Sequence, residues 1–466
     1  MSLHTPTAHR APALETAAPP DTLRQLKNLY FSVPEKFFLA FTLAVLWVSF
    51  SVWLSQRWLE DLAAVTNWPF ALIAIGFIAY VPGFMNAFLL GTLLLDRRPP
   101  RVRPAHYPAL TILVAAYDEA AAIRDTLASL AGQTYPGLYE ILVLNDGSTD
   151  ATAAVARHAA AELNFPPNAT VRVLDYPVNA GKAAVLNRGL KAATHDLIVT
   201  IDADSWVRDD GLAQIVERLL TDPPNTRAIA GAVMVRNSRE NFLTRAQEWD
   251  YFHGIAAVKR MQSMYHGTLV AQGAFSLYRR DALEAAGGFP ECVGEDIVVS
   301  WALLKAGHRI GYAEDALAFT NVPTKFKQFA LQRKRWSRGL VEAFKAHGSL
   351  LFKPRLTTIF IWWNLCFLPL DLIYTFVFIP GLIAAFFGIF YIAGPLTLAV
   401  LPLAALWNMF IFSIQRRMFH REGLSVRRNF GGFLFYALGY SLVMQPVCVW
   451  GYGAELLGTS KKWDTK

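Results

Sequence analysis

The chain's 466 residues are too many for one ordinary core and enough for a catalytic domain plus a membrane part. Hydrophobic residues make up 54% and aromatic residues 13%, high for a soluble enzyme; they gather at the two ends and leave about Leu110 to Trp336 with the make-up of an ordinary α/β domain. The formal charge of +8 does not indicate nucleic acid, because the basic residues cluster beside apolar spans (Arg97, Arg98, Arg101, Arg103; Arg416, Arg417, Arg421, Arg427, Arg428) and no basic–aromatic module accompanies them.

The first 28 residues are polar and Pro/Ala-rich, with no cleavable signal peptide evident, so 1–36 is expected to be a cytosolic segment. Phe37 to Leu54 is nearly free of charge and can cross a bilayer; Trp68 to Leu95 is a second, longer span ended by Asp96-Arg97-Arg98. Lys27 and Lys36 precede the first span and four arginines follow the second. The charge rule therefore predicts a hairpin over 37–96 with both ends cytosolic. The domain that follows, 104–324, is then expected to face the cytosol.

Leu110–Ala116 is a short apolar run ending in polar residues, as in a buried parallel strand. Helical spacing follows over Ala120–Leu130. Strands are predicted at Glu140–Leu144, Val171–Leu174 and Leu197–Ile201, with helices running to Leu163 and over Lys182–Ala193. Alternating strands and helices predict a doubly wound, mostly parallel α/β sheet, whose ligands bind beyond the carboxyl ends of the strands. Lys325 to Leu351 mixes basic and aromatic residues and is expected to lie on the membrane interface as an amphipathic helix, bounding a segment of 325–352. From Leu356 to Ile414 the chain is almost wholly apolar, enough for two generous spans or three tight ones. Asn429 to Leu457 supplies another, giving a membrane region of 356–457 and a tail of 458–466. Cys292, Cys366 and Cys448 are far apart and show no metal or disulfide spacing.

The chemistry-bearing residues sit at strand ends. Asp202-Ala-Asp204 closes the fourth strand, where two carboxylates one residue apart can set a divalent cation against a departing diphosphate. Asn145-Asp-Gly-Ser-Thr-Asp150 closes the second; it reads plainly as a turn and helix cap, and Asp146 can also accept the imide N–H of a uracil. Asn179-Ala-Gly-Lys182 looks like a phosphate-binding turn, too short for a Walker A motif. Gly294-Glu-Asp296 precedes a helix: the acidic pair favours a helix start, and one of its carboxylates can act as the general base that a single inverting displacement needs. In Gln332-Arg-Lys-Arg-Trp336 the arginines can meet lipid phosphate, or Trp336 can stack under a sugar ring while Arg335 contacts a diphosphate.

The order of these elements, ending in QxxRW about forty residues after the acidic pair and followed by apolar spans, resembles the processive family-2 glycosyltransferases: cellulose, chitin, hyaluronan and poly-N-acetylglucosamine synthases. The resemblance covers about Leu110 to the C-terminus and implies a GT-A-like fold embedded between transmembrane helices. Carried onto matching residues, it implies that Tyr117, Glu119, Asp146, Lys182 and Asp202 hold the nucleotide sugar. Asp204, with Asp202, would bind Mg2+ or Mn2+, and Asp296 would be the catalytic base. Gln272, Gly273, Glu295, Gln332, Arg333, Arg335 and Trp336 would form the acceptor and diphosphate end. Two positions depart from the pattern: Asn145 stands before Asp146 where a doubled Asp is common, and Gly294 where Thr is common. No cyclic-di-GMP-binding barrel follows the catalytic segment. The resemblance further implies a multi-pass protein of a bacterial-type plasma membrane that polymerises a β-linked polysaccharide from a UDP-sugar, UDP-N-acetylglucosamine first, alongside possible accessory export subunits. The alternatives are transfer of one sugar to a lipid acceptor, which the complete QxxRW motif disfavours, and a scaffold with a degenerate transferase domain, which would need broken catalytic positions.

Overall fold

A computed structural model describes residues 31–98, 101–421, 423–424 and 428–459; Lys27, Arg427 and the tail lysines Lys461 and Lys462 lie outside them. The helix α1 (Val33–Leu54) starts at a capping box, Ser32 with Glu35, and runs against α3 (Trp68–Leu94). The two meet through small residues: a Cβ on Gly91 would sit 3.3 Å from the Cα of Ala40, the close backbone approach that packs helices where lipid supplies no hydrophobic drive. Between them the expected linker is itself helical, α2 (Gln56–Val65), with Leu59 and Leu62 turned inward.

The arginines after α3 are tied into the α/β domain. Arg98 pairs with Asp96 at 3.0 Å and with Glu314 at 2.7 Å, and Arg260 reaches Asp96 from the α/β domain. Arg101 pairs with Asp315. The end of the hairpin is thus bolted to the α/β domain by a largely buried charge network, whereas Arg416, Arg417 and Arg421 stay exposed. The surrounding arginines outweigh the burial that would raise the Glu314 carboxyl and hold it down to about 2, against 4.5 ordinarily. A depressed carboxylate contributes stability above its unfolded pKa and loses it as pH falls through the folded one. The expected result is that Glu314→Gln destabilises the detergent-solubilised protein at pH 7 by on the order of 2–3 kcal/mol. The gap from wild type should narrow below about pH 4.5 and close near pH 2, read by thermal unfolding.

The α/β domain is built on one eight-stranded sheet in the order β3-β2-β1-β4-β7-β6-β8-β5. Its parallel half is β1 (Leu110–Ala116), β2 (Tyr139–Asp146), β3 (Ala169–Tyr176) and β4 (Leu197–Asp202). β1 and β2 carry apolar side chains nearly throughout because helices cover both faces. These helices are α4 (Ile123–Ala131), α5 (Thr152–Glu162) and α6 (Lys182–Ala192). Register brings the strand ends level: Ala116 lies opposite Asn145, Asn145 opposite Asp175, and Ala115 opposite Asp202.

Beyond β4 the sheet is mixed, a correction to the mostly parallel sheet expected. The next elements are β5 (Ser205–Val207), α7 (Gly211–Thr221) and β6 (Thr226–Val235). Then come α8 (Phe242–Trp249) and α9 (Ala256–Met264), joined by a π turn over Asp250–Ile255. β7 (Phe275–Arg279) inserts antiparallel between β4 and β6. After α10 (Arg280–Ala285) and α11 (Glu295–Lys305), β8 (Arg309–Thr320) pairs parallel with β6 and antiparallel with β5.

The expected amphipathic segment is one helix, α12 (Phe326–His347), and its inner face is buried in protein, against α11 and α16. The C-terminal region holds α13 (Thr358–Ala385), α14 (Pro395–Arg421), α15 (Phe430–Leu438) and α16 (Tyr440–Leu456). Among the described residues three helices, α1, α3 and α13, are long and apolar enough to cross a membrane; α15 and α16, bent by 53°, make a fourth if they form one broken span.

Candidate active site

The carboxyl ends of the parallel strands open into a cleft of about 1310 Å³. Tyr117 and Glu119, just past β1, line it, as do Asp146, Lys182, Asp202 and Asp204; Gln332 and Arg335 close the far side from α12. Sequence reasoning therefore brought eight residues to one cavity. Asp296, Glu295, Gln272, Gly273, Arg333 and Trp336 are not in its lining.

Asp146 is buried, and both its oxygens are engaged: Oδ1 accepts from the Ala180 amide at 2.9 Å and Oδ2 from the Gly181 amide at 2.8 Å. The turn expected to cradle phosphate thus gives these two N–H groups to a carboxylate. The loops meet so closely that a side chain on Gly147 is excluded: its φ is +66° and a Cβ would lie 2.5 Å from the Asn179 nitrogen. Beside it Asn145 donates to Asp175 at 2.7 Å and accepts from Ser148, which explains an amide where a second carboxylate is common.

Lys182, at the start of α6, is the hub. Its ammonium lies 2.6 Å from Asp202 Oδ1 and 3.3 Å from Glu295 Oε1. Burial alone would lower its affinity for a proton; Asp202 and Glu295 overcome that and hold it charged, above the usual lysine range. Glu295 moves upward, first because it is buried and further because Asp296 adjoins it, with Lys182 opposing. Gly273 makes room for the bridge, since a Cβ there would stand 2.5 Å from Lys182 Nζ. Gln272 is tied elsewhere, its amide donating to the Gly231 carbonyl at 2.6 Å.

Asp204 begins the turn into β5 and accepts from Thr320 at 3.3 Å. Burial, with Asp202 and Glu119 adding negative charge, pushes its carboxyl up to about 7. Asp296 is half-buried at the first turn of α11, where Oδ1 accepts from the Ile297 amide at 2.8 Å. The approach of α12 to this helix start requires glycine on both sides: a Cβ on Gly294 would fall on Gly339 Cα, and the Gly294 amide donates to Glu342 at 2.9 Å. Gly294 replaces the common Thr for that steric reason. Neither Gly339 nor Glu342 was visible as a site residue, because their role is contact between two helices far apart in sequence. On α12, Gln332 Oε1 is buried with no hydrogen-bond partner among the described residues, Arg333 is fully buried, and Trp336 is exposed over two fifths of its surface.

The glycosyltransferase like family 2 model matches residues 108–339. Poly-beta-1,6-N-acetyl-D-glucosamine synthase of Staphylococcus epidermidis is 32% identical over 231 residues, covering 49% of this chain and 54% of that protein. The enzyme of the same name from Staphylococcus aureus strain COL is 29% identical over 274 residues, 56% of this chain and 64% of that one. The chain thus spans only about half to two thirds of the curated relatives it matches. Among solved structures, a mannosyltransferase from Pyrobaculum calidifontis, in complex with GDP-Man and Mn2+, superposes with a TM-score of 0.56 at 19% identity, covering 83% of this chain and 99% of that one. That likeness shows the GT-A-like fold. The chain carries a family-2 glycosyltransferase domain over residues 108–339.

Proposed function

We propose that this chain is a membrane-embedded, inverting glycosyltransferase that moves sugar from a UDP-sugar, UDP-N-acetylglucosamine first, onto the end of a growing β-linked polysaccharide, with its cleft on the cytosolic side. The observation that carries the reading is the Lys182 bridge: one ammonium joins Asp202, at the donor end of the sheet, to Glu295, next to Asp296. Donor and base are thereby held within one side chain's reach of each other. The named relatives support the choice of sugar, and the complete QxxRW motif supports an acceptor that stays bound.

In this reading Tyr117, Glu119 and Asp146 form the nucleoside end of the cleft, and Lys182 meets the diphosphate. Asp296 takes the proton from the acceptor hydroxyl as that oxygen attacks the anomeric carbon from the face opposite the leaving UDP. Gln332 Oε1, unpartnered, is available to a hydroxyl or amide of donor or acceptor. The charges in the cleft favour a divalent cation: among the described residues, Glu119, Asp146, Asp202, Asp204, Glu240 and Glu291 line it against Lys182 and Arg335. A diphosphate entering so acidic a cleft needs positive charge. Asp202 and Asp204 offer hard oxygen ligands for Mg2+ or Mn2+, which when bound would stabilise the departing diphosphate. Among the described residues no three His, Cys, Asp or Glu side chains converge on one ion position, so further ligands would come from the donor or water.

The test is product analysis in membranes containing the full chain, supplied with radiolabelled UDP-sugars. The expected result is label from UDP-N-acetylglucosamine in a high-molecular-weight, solvent-insoluble product. Label confined to a lipid extract would replace this reading with single-sugar transfer to a lipid.

A further inference from the structure

The second residue of the QxxRW motif does not behave as a substrate ligand. Arg333 is fully buried, and its guanidinium carbon lies 3.9 Å from the centre of the Trp336 ring, with Phe329 at 5.1 Å and Tyr251 at 5.9 Å. Residues 329, 333 and 336 share one face of α12, so the cation is layered between an aromatic ring one turn before it and the indole one turn after. Its Nη2 reaches Asp250 Oδ2 at 2.8 Å and Tyr440 Oη at 3.2 Å, and Tyr440 Oη donates to the same carboxylate oxygen at 3.0 Å. Nε and Nη1 make no hydrogen bond. The guanidinium is therefore held from one side by a carboxylate and a hydroxyl, and its flat face is spent on the indole.

Asp250 opens the π turn between α8 and α9, and Tyr440 is the first residue of α16. Such turns place a side chain where a regular helix would not. Gly254 leaves the room: a Cβ there would stand 3.0 Å from both Asp250 Oδ1 and Tyr436 Oη. Two elements distant in sequence thus converge on one arginine, and the arginine supports the one exposed aromatic of the motif.

We infer that Asp250 is a positioning residue for the acceptor: through Arg333, and together with the Tyr440 hydroxyl, it fixes the plane of the Trp336 indole on which the end sugar of the acceptor rests. The inference rests on the reading of Trp336 as a sugar platform. It makes the first turn of the C-terminal helix α16 part of the acceptor site, although no residue of that helix lines the cleft.

The physical expectation is specific. A buried ion pair broken on one side leaves an uncompensated charge that reorganises its surroundings. Here what would move is the face of the indole, with no direct effect on the donor residues. Asp250→Asn, in the full chain in membranes and with the donor on which the wild type is active, should lower chain elongation tenfold or more. Hydrolysis of the same donor to UDP and free sugar should stay within about threefold, with its KM unchanged, because water needs no platform. Tyr440→Phe removes only one hydrogen bond; it should shift the same ratio in the same direction, to a smaller extent, and keeps the inference testable if Asp250→Asn folds poorly. An equal fall in elongation and hydrolysis, or wild-type elongation in Tyr440→Phe and Asp250→Asn alike, overturns the positioning role. Trp336→Ala separates this from failure of the underlying reading. If it shifts the ratio and the Asp250 and Tyr440 variants do not, only the positioning role is lost; if it does not shift the ratio, the platform itself is lost.

Discussion

Replacing Asp296 by Asn should cut turnover by about 10²-fold or more while leaving donor affinity near that of the wild type. The two members of the acidic pair differ in what they touch. Glu295 is buried and committed to Lys182 at 3.3 Å. Asp296 has no ion pair in that bridge; one oxygen accepts from the Ile297 amide and the side chain is half-buried. Asn keeps that acceptor, so the first turn of α11 should be preserved, and what is lost is the capacity to take a proton. Glu295→Gln is the informative contrast. It removes one of the two carboxylates that hold Lys182, so it should raise the KM for donor before it lowers kcat. Steady-state kinetics with equilibrium binding of UDP would check both variants. Parallel loss of affinity and turnover in Asp296→Asn would make that residue a binding group.

The sequence revealed the donor half of the site better than the acceptor half, and the reason lies in how each is built. Asp146, Lys182, Asp202 and Asp204 stand at or beside the ends of parallel strands whose apolar runs are legible, and in-register pairing brings those ends level. Local pattern was sufficient there. β6 carries little signal because Ala228-Ile-Ala-Gly-Ala232 is mostly small residues with no polar–apolar alternation, yet it is buried along nearly all its length between β7 and β8. β7 was missed because five residues at the edge of a loop give no period, and its antiparallel insertion beside β4 is a tertiary fact. On the acceptor side, the resemblance puts Arg333 only in the group at the acceptor and diphosphate end, without a contact of its own. The decisive partners, Asp250 and Tyr440, lie 83 and 107 residues away, where no spacing rule reaches. Gly294 carried a signal, a departure from a common Thr, but its meaning required Gly339 on the facing helix.

The second large effect expected is at Asp204. The charges of Asp202 and Glu119 both act on Asp204, and Lys182, the cation that opposes them, is already shared between Asp202 and Glu295. Burial with like charge is what pushes the Asp204 carboxyl up to about 7. A UDP-sugar brings two further negative charges into this place. Without a divalent cation, Coulomb repulsion in a partly desolvated cleft would oppose donor binding itself, before any chemistry. EDTA should therefore abolish both transfer and UDP binding in the wild type, and Mg2+ or Mn2+ should restore them. Asp204→Ala should lower transfer on the order of 10³-fold with metal present, the scale of losing a Lewis acid on a leaving group. The same variant should also bind UDP with little dependence on metal, because one of the opposing carboxylates has gone with the ligand. Calorimetric titration of UDP with and without metal reads this independently of turnover. Wild-type transfer in EDTA would remove the cation from the mechanism. Among the described residues Lys182 and Arg335 would then be the cations lining the cleft to meet the diphosphate, and Lys182→Gln would become the substitution with the largest loss.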